Sequence, residues 1–294
     1  MTTFTVFSPA KINLYLRILG RRPDGYHELE TVMAPLDFGD QITLHPRPTG
    51  LTLECDHPDL PTDARNLALR AAQLLAESAG VTQGAHIVLE KRTPLAAGLG
   101  GGSSNAAAVL RGLNQLWRLN TPAATLDDLA ARLGSDVNLF LADSVALCHG
   151  RGERVQPVPC RSTATVLLIN PGFGISTKWA YESWARAAAS PGLTPGAPDV
   201  TLLLRGLAAN ELAGVAGNLF NSLEAPSVRK FPVLQLLKQA LRADGAEGAL
   251  MSGSGATVFG LFAQRDQAER SAERIRAEFG PSMWTQTARI AGSS

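Results

Sequence analysis

Cysteine is scarce in this chain of 294 residues, and its three copies, Cys55, Cys148 and Cys160, are odd in number, far apart and without a CxxC pair. That argues against a disulfide framework and a zinc site and fits a reducing cytosol. An excess of one charge sign is missing too. The 27 Lys and Arg stand against 26 Asp and Glu, so no global field recruits nucleic acid or an anionic membrane. Aromatics make up only 6%, which also disfavours a nucleic-acid-binding surface. No apolar run reaches the ~18 residues of a membrane span, and the opening Met1-Thr2-Thr3-Phe4-Thr5 has no basic segment leading into an apolar one. The expectation is a cytoplasmic protein, and the length suggests two domains, each with a sizeable interior.

Glycine, by contrast, is concentrated at one place. Pro94-Leu95-Ala96-Ala97-Gly98-Leu99-Gly100-Gly101-Gly102-Ser103-Ser104-Asn105 puts four glycines in five positions, followed by two hydroxyls and an amide. Ser and Asn are good helix N-caps, and Ala106, Val109, Leu110, Leu113 and Trp117 then repeat at the spacing of one apolar helix face. A bare glycine loop opening a helix is an anion site, because free N–H groups and the positive end of the helix dipole converge there. In a chain with no net field the expected anion is a nucleotide phosphate. A Walker loop is excluded, since no lysine follows Gly102, and so is a dinucleotide fingerprint, since Ser103 stands at the third glycine. The competing reading is a plain hinge.

Elsewhere the pattern is coarser. Phe4 to Ile18 alternates with period two and reads as one strand, or as two broken at Pro9, with Lys11 and Asn13 on one face. On the strand alone, Lys11 is a solvated charge. Gly20 to Glu28 is a turn around Pro23-Asp24-Gly25 that sets Tyr26 beside His27, a pair that by itself suggests packing. Short strands are expected over 31–36, 40–45, 51–55 and 86–90, and a helix over 65–79 stopped by Gly80. Another helix, 125–133, ends at Gly134. Asp136 follows where a helix restarts, so capping is its simplest role. A strand and a Gly-Arg-Gly turn occupy 143–152, and a composition shift near 157–163 marks the boundary between lobes. Beyond it come strands at 165–169, 258–262 and 284–290, helices at 231–243 and 267–279, a Pro/Gly-rich exposed loop at 190–199, and a second glycine turn, Met251 to Thr257. The alternation suggests a split β-α-β plait.

Three separated segments, Ser8-Pro9-Ala10-Lys11-Ile12-Asn13-Leu14, the Pro94 to Ser104 loop and Ser252-Gly253-Ser254-Gly255-Ala256, together resemble the motifs of the GHMP small-molecule kinases. Arg22-Pro23-Asp24-Gly25-Tyr26-His27 and Gly134-Ser135-Asp136-Val137 narrow the resemblance to members acting on a cytidylyl-linked substrate. It implies a two-lobed α+β fold: an N-terminal lobe like ribosomal protein S5 over 1–160, for ATP and catalysis, and a C-terminal ferredoxin-like plait over 161–294, for substrate. The implied reaction is ATP-dependent phosphorylation of the 2-hydroxyl of 4-diphosphocytidyl-2-C-methyl-D-erythritol, a step of the non-mevalonate isoprenoid route. Asp136 is then the base and Lys11 its cationic neighbour. Residues 94–104 hold the ATP phosphates, with Ser103 or Ser104 touching phosphate or Mg²⁺. Tyr26 and His27 meet cytosine, a second ring comes from Tyr181 or from nearby Trp179, and Asn13 and Thr177 contact the methylerythritol diphosphate. Asn138 stands where the family often has proline. The expected assembly is a monomer or weak homodimer. Alternatives are a homoserine- or mevalonate-type kinase, neither of whose substrates carries a nucleobase, and a non-catalytic sensor on the same fold, which would be expected to lose Lys11 or Asp136.

Overall fold

The computed structural model describes residues 3–188 and 196–291. The chain opens with a long antiparallel pair, β1 (Phe4–Arg21) and β2 (His27–Arg47). Of the two readings of Phe4 to Ile18, the single strand holds, and at Pro9, as at the expected break over residues 37–39, the ladder has an irregularity rather than an end. Pairing skips between Pro9 and Lys11, between Asn13 and Tyr15 and between Ile18 and Gly20, then resumes, so each strand bends without losing its ladder. β3 (Leu51–Cys55) runs parallel to β4 (Gly84–Glu90), giving the order β3-β4-β2-β1. β5 (Ala146–Gly150) pairs with β2, and β6 (Arg154–Pro157) with β5. A two-residue strand from the second half, β8 (Phe220–Asn221), adds to β1 in parallel.

Helices α1 (Leu67–Ala79) and α2 (Gly101–Leu116) cover this sheet. Asn66 caps α1, its Oδ1 accepting from the Ala68 N–H at 3.0 Å, and Gly80 closes it in the left-handed region. The apolar stripe of α2, Ala106, Val109, Leu110 and Leu113, packs with Ala72 and Leu75 of α1 and with Ile42, Leu44 and Ile87 of the sheet. The helix begins five residues before the expected start at Ala106. Gly101 to Asn105 lie inside its first turns, and Gly100, at φ 70°, holds the cap position. Ser103, Ser104 and Asn105 are therefore not caps. Glycine's poor helix propensity is overridden because the Ser104 and Asn105 side chains are tied into the protein below. α3 (Ala123–Leu133) and α4 (Val137–Ala142) complete this half.

In the second half β7 (Thr165–Asn170), β9 (Gly248–Met251), β10 (Val258–Phe262) and β11 (Trp284–Arg289) form an antiparallel sheet in the order β11-β7-β10-β9. The helices are α5 (Thr177–Ala188), α6 (Val200–Ala209), α7 (Leu212–Ala216), α8 (Glu224–Lys230), α9 (Val233–Ala243) and α10 (Arg265–Phe279). With α9 leading into β9 and α10 lying between β10 and β11, this is the expected ferredoxin-like plait. Helices α5, α6, α7 and α8 were not expected, and residues 190–195 of the expected loop lie outside the described residues. Tyr15, Leu14 and Val32 share a core with Leu168, Leu203 and Phe259, so apolar packing continues from one half into the other.

Candidate active site

Alternation along β1 carries through to the site, and only after the irregularity between Asn13 and Tyr15 does a residue of the other parity, Tyr15, enter the core as well. Ala10, Ile12 and Leu14 enter the core shared by the two halves, while Lys11 and Asn13 face a cleft of about 920 Å³. Lys11 is no solvated charge. Its side chain is 5% exposed, and its Nζ donates to Asn13 Oδ1 at 2.5 Å. The Asn13 amide donates in turn to Thr31 Oγ1, which donates to the Tyr15 carbonyl. A buried ammonium needs both hydrogen bonds and a counter-charge. The counter-charge is Asp136, whose Oδ2 lies 3.4 Å from Lys11 Nζ. Asp136 occupies the position before α4, yet its carboxylate makes no capping bond. It is 31% exposed and faces the cleft. Asn138 steadies the same turn, its amide donating to the Asp127 carbonyl at 2.8 Å.

The glycine stretch borders this pair. A methyl group on Gly100 would come 3.0 Å from Lys11 Cγ, and one on Gly98 only 2.1 Å from the Ser252 carbonyl oxygen. Gly98 also sits at φ 77°, where a side chain is strained. That close approach joins the second glycine turn to the first: Ser252 Oγ donates to the Gly98 carbonyl at 3.0 Å and accepts from the Asn13 N–H at 3.3 Å. The Lys11 N–H donates to the Leu99 carbonyl, and Thr257 N–H to that of Ala97. All three sequence motifs thus meet at one place. Within α2 the first N–H bonded into the helix is that of Ser104, to the Gly100 carbonyl. Those of Gly101, Gly102 and Ser103 have no acceptor among the described residues, the arrangement that welcomes an anion.

Pro94 to Ser103 all line the cleft. Ser104 does not: its hydroxyl is buried and accepts from Ser8 Oγ at 2.8 Å. Of the two serines, Ser103 alone faces the cleft. Behind the loop lies a polar cluster that the sequence did not reveal. Asp40 is fully buried and ion-paired with Lys91. It accepts from the N–H groups of Arg92 and Thr93, from Thr93 Oγ1, and from the Asn105 amide. Burial pushes its carboxyl up, but Lys91 and these donors outweigh burial and hold it below the usual carboxylate value.

Tyr26 and His27 line the cleft with Tyr181 and Thr177 of α5. His27 stacks on Tyr181 with ring centroids 5.1 Å apart, and Tyr26 is 54% exposed. Burial, assisted by Arg21, holds the His27 imidazole below its ordinary value. Burial, with the charge of Asp136 adding, raises the Tyr181 phenol. Thr177 Oγ1 lies 3.2 Å from Ser254 Oγ of the second glycine turn. Trp179 faces away, packed on Phe231 and beneath Lys230, whereas Tyr181 lines the cleft. Leu60, Pro61, Arg65, Asn66 and Leu67 line another part of the cleft that no motif marks, with Leu67 Cδ1 3.7 Å from where a methyl group on Gly102 would lie. Cys148 lies buried near Asp136 and Lys11, its thiol pushed up to about 12 chiefly by burial, and is inert at neutral pH. All three cysteines are free. Among the described residues no helix is long and apolar enough to cross a membrane.

Comparisons with known proteins agree with this geometry. Residues 66–151 match the model described as GHMP kinases N terminal domain, and residues 202–281 match GHMP kinases C terminal. A 4-diphosphocytidyl-2-C-methyl-D-erythritol kinase from Synechococcus sp. (strain JA-3-3Ab) is 44% identical over 282 residues, covering 95% of this chain and 91% of its own. A crystal structure of 4-(cytidine 5'-diphospho)-2C-methyl-D-erythritol kinase superposes with a TM-score of 0.82 at 39% identity, over 99% of this chain and 100% of that one. Homoserine kinase from Cytophaga hutchinsonii reaches a TM-score of 0.77 at 20% identity, over 99% of this chain and 96% of its own, a likeness of fold alone. The matching models in chain order and the full-length relative together show that the chain belongs to the GHMP kinase family, among its 4-diphosphocytidyl-2-C-methyl-D-erythritol kinases.

Proposed function

We propose that this protein transfers the γ-phosphoryl group of ATP to the 2-hydroxyl of 4-diphosphocytidyl-2-C-methyl-D-erythritol. The observation that carries the reading is the Lys11–Asp136 pair, 3.4 Å apart, beside a glycine bend whose leading N–H groups have no acceptor among the described residues. Phosphoryl transfer has a loose transition state with charge spread over the phosphate oxygens, so the protein's task is positioning and electrostatic stabilisation. The Gly101, Gly102 and Ser103 amides would hold the ATP phosphates. The side chains of Leu60, Pro61 and Leu67 would take the adenine.

Asp136 would accept a hydrogen bond from the 2-hydroxyl and orient it in line with the γ-phosphorus. A carboxylate is a weak base for an alcohol, so its proton is taken late, as the new P–O bond forms. Lys11, held by Asn13, would balance charge developing on the transferring group. Tyr26 and Tyr181 would stack on cytosine, with His27 hydrogen-bonding to it. Asn13 and Thr177 would contact the diphosphate arm. Mg²⁺ is expected to accompany ATP, because that ion keeps much of its water shell and relies on phosphates with one or two protein oxygens. Among the described residues no cluster of three acidic, histidine or cysteine groups could hold a metal unaided, and Ser103 and Asp136 are oxygen donors on the cleft wall that fit such a phosphate-carried ion. When bound, the ion neutralises charge between the phosphates.

Separate turnover assays with the cytidylyl substrate, homoserine and mevalonate test the reading. ADP release is expected with the first alone; comparable kcat/KM on either of the others would overturn it.

A further inference from the structure

The Gly-Arg-Gly turn, Gly150 to Gly152, has no part in the function described above, yet it touches both ends of the substrate site. Its Arg151 lines the cleft, with its guanidinium carbon 4.9 Å from the centroid of the Tyr26 ring. Such a contact is attractive through the ring quadrupole, most of all for the planar Arg group. The guanidinium is held in place rather than left to swing. Arg151 Nη2 donates to the Ala131 carbonyl at 3.3 Å, its Nε lies 3.8 Å from Glu153 Oε2, and its backbone N–H donates to the same carboxylate at 2.6 Å.

The turn itself is anchored. The Gly150 N–H donates to Glu28 Oε1 at 3.2 Å, and Glu28 is ion-paired with Arg22 and Arg154. A methyl group on Gly150 would meet the Glu153 carboxylate at 2.7 Å, so the glycine permits that carboxylate's position. Two residues on, a methyl group on Gly152 would lie 3.5 Å from Asp136 Oδ1. One anchored turn therefore lies against both the exposed aromatic of the cytidylyl end and the carboxylate of the phosphoryl end.

We infer that Arg151 is a positioning residue for the cytidylyl substrate: its guanidinium fixes the Tyr26 ring as one wall of the nucleobase slot. The inference rests on the proposed cytidylyl substrate. Tyr26 is more than half exposed, and an exposed tyrosine free to rotate would lose side-chain entropy on stacking with a base. Arg151 removes that freedom before the substrate arrives, and preorganisation of this kind is read in binding.

The test is steady-state kinetics on the whole protein with ATP and the cytidylyl substrate, comparing wild type, R151A, R151K, Y26A and the double variant R151A/Y26A. R151A is expected to raise KM for the cytidylyl substrate about two- to fivefold, the scale of a half-exposed cation–π contact, with kcat and KM for ATP unchanged. R151K, which keeps the charge without the planar group, recovers part of the loss. In the Y26A background the Arg151 change becomes silent, because its effect runs through the ring. An unchanged or lowered KM in both R151A and R151K overturns the inference, as does a persistent R151A effect without Tyr26. A parallel rise in KM for ATP also overturns it, since that marks general loosening of the fold. A wild-type protein inactive on the cytidylyl substrate overturns the proposed function itself. An active wild type with silent Arg151 variants overturns only the role of Arg151.

Discussion

Replacing Lys11 with methionine separates what this side chain does for catalysis from what it does for folding. Methionine keeps the length and apolar stem, and removes the ammonium that lies 2.5 Å from Asn13 Oδ1 and 3.4 Å from Asp136 Oδ2. Breaking a fully buried ion pair costs about 3–5 kcal/mol, because the abandoned charge stays out of water. Here the abandoned partner is 31% exposed and water reaches it, so the cost falls to about 1–2 kcal/mol, given the small worth of solvated pairs. Removing the lysine also ends the desolvation of a side chain that is only 5% exposed. For a chain of this size the shift in Tm should stay within about 4 °C. The transition state has no such relief. A cation aimed at charge that grows during transfer is worth about 2.7–4 kcal/mol, a factor of roughly 10² to 10³ in kcat. Scanning calorimetry and single-turnover kinetics on K11M at saturating ATP and substrate measure both quantities. A kcat within about tenfold of wild type, or a Tm loss large enough to account for the fall in kcat, would refute the assignment of Lys11 to the transition state.

D136N should abolish transfer while calorimetry still detects ATP binding, since the amide keeps the shape but cannot take the proton; activity within a few-fold of wild type removes Asp136 as base. G98A should lower Tm and weaken ATP binding together, because its methyl would sit 2.1 Å from the Ser252 carbonyl oxygen and overpacking costs about 1–3 kcal/mol; a variant that melts and binds like wild type would show that the two glycine turns need not touch. His27 supplies a pH test. Its folded value lies below the ordinary 6.5, so the unfolded chain binds its proton first. The stability that neutral His27 contributes is fully present above 6.5 and declines as pH falls from there toward the folded value. H27Q should flatten that part of the stability curve, and an unaltered slope counts against a depressed imidazole.

Much of the site could be read from the sequence because its chemistry is carried by compact motifs. Lys11, Asp136 and the glycine loop were expected on the resemblance, and the structure brings them together, although on strand periodicity alone Lys11 belonged in solvent. Alternation shows which side chains share a face, but it does not show that both faces of β1 are covered. The helix α2 starts early for a related reason. Gly101 to Asn105 have loop-like propensities, and what holds them helical is the bonding of Ser104 to Ser8 and of Asn105 to Asp40, partners far away in sequence. Pro9 and Gly39 are breakers locally, yet β1 and β2 run past them because bulges absorb the disruption. Which of Trp179 and Tyr181 lines the cleft is set by helix rotation in α5: two residues apart, they point in different directions, one to Phe231 and the other to His27.

Asp40 has a consequence for where sequence changes will be felt. Its carboxylate gathers β2, the approach to the glycine bend and α2 at one buried point, and through the Asn105 amide, which also donates to Ser8 Oγ, it reaches β1. The carboxylate is not on the cleft wall, while Lys91 and Asn105 are. Altered nucleotide affinity in natural or selected variants can therefore arise from a residue no ligand touches, and a screen confined to the cleft's own lining would pass over it.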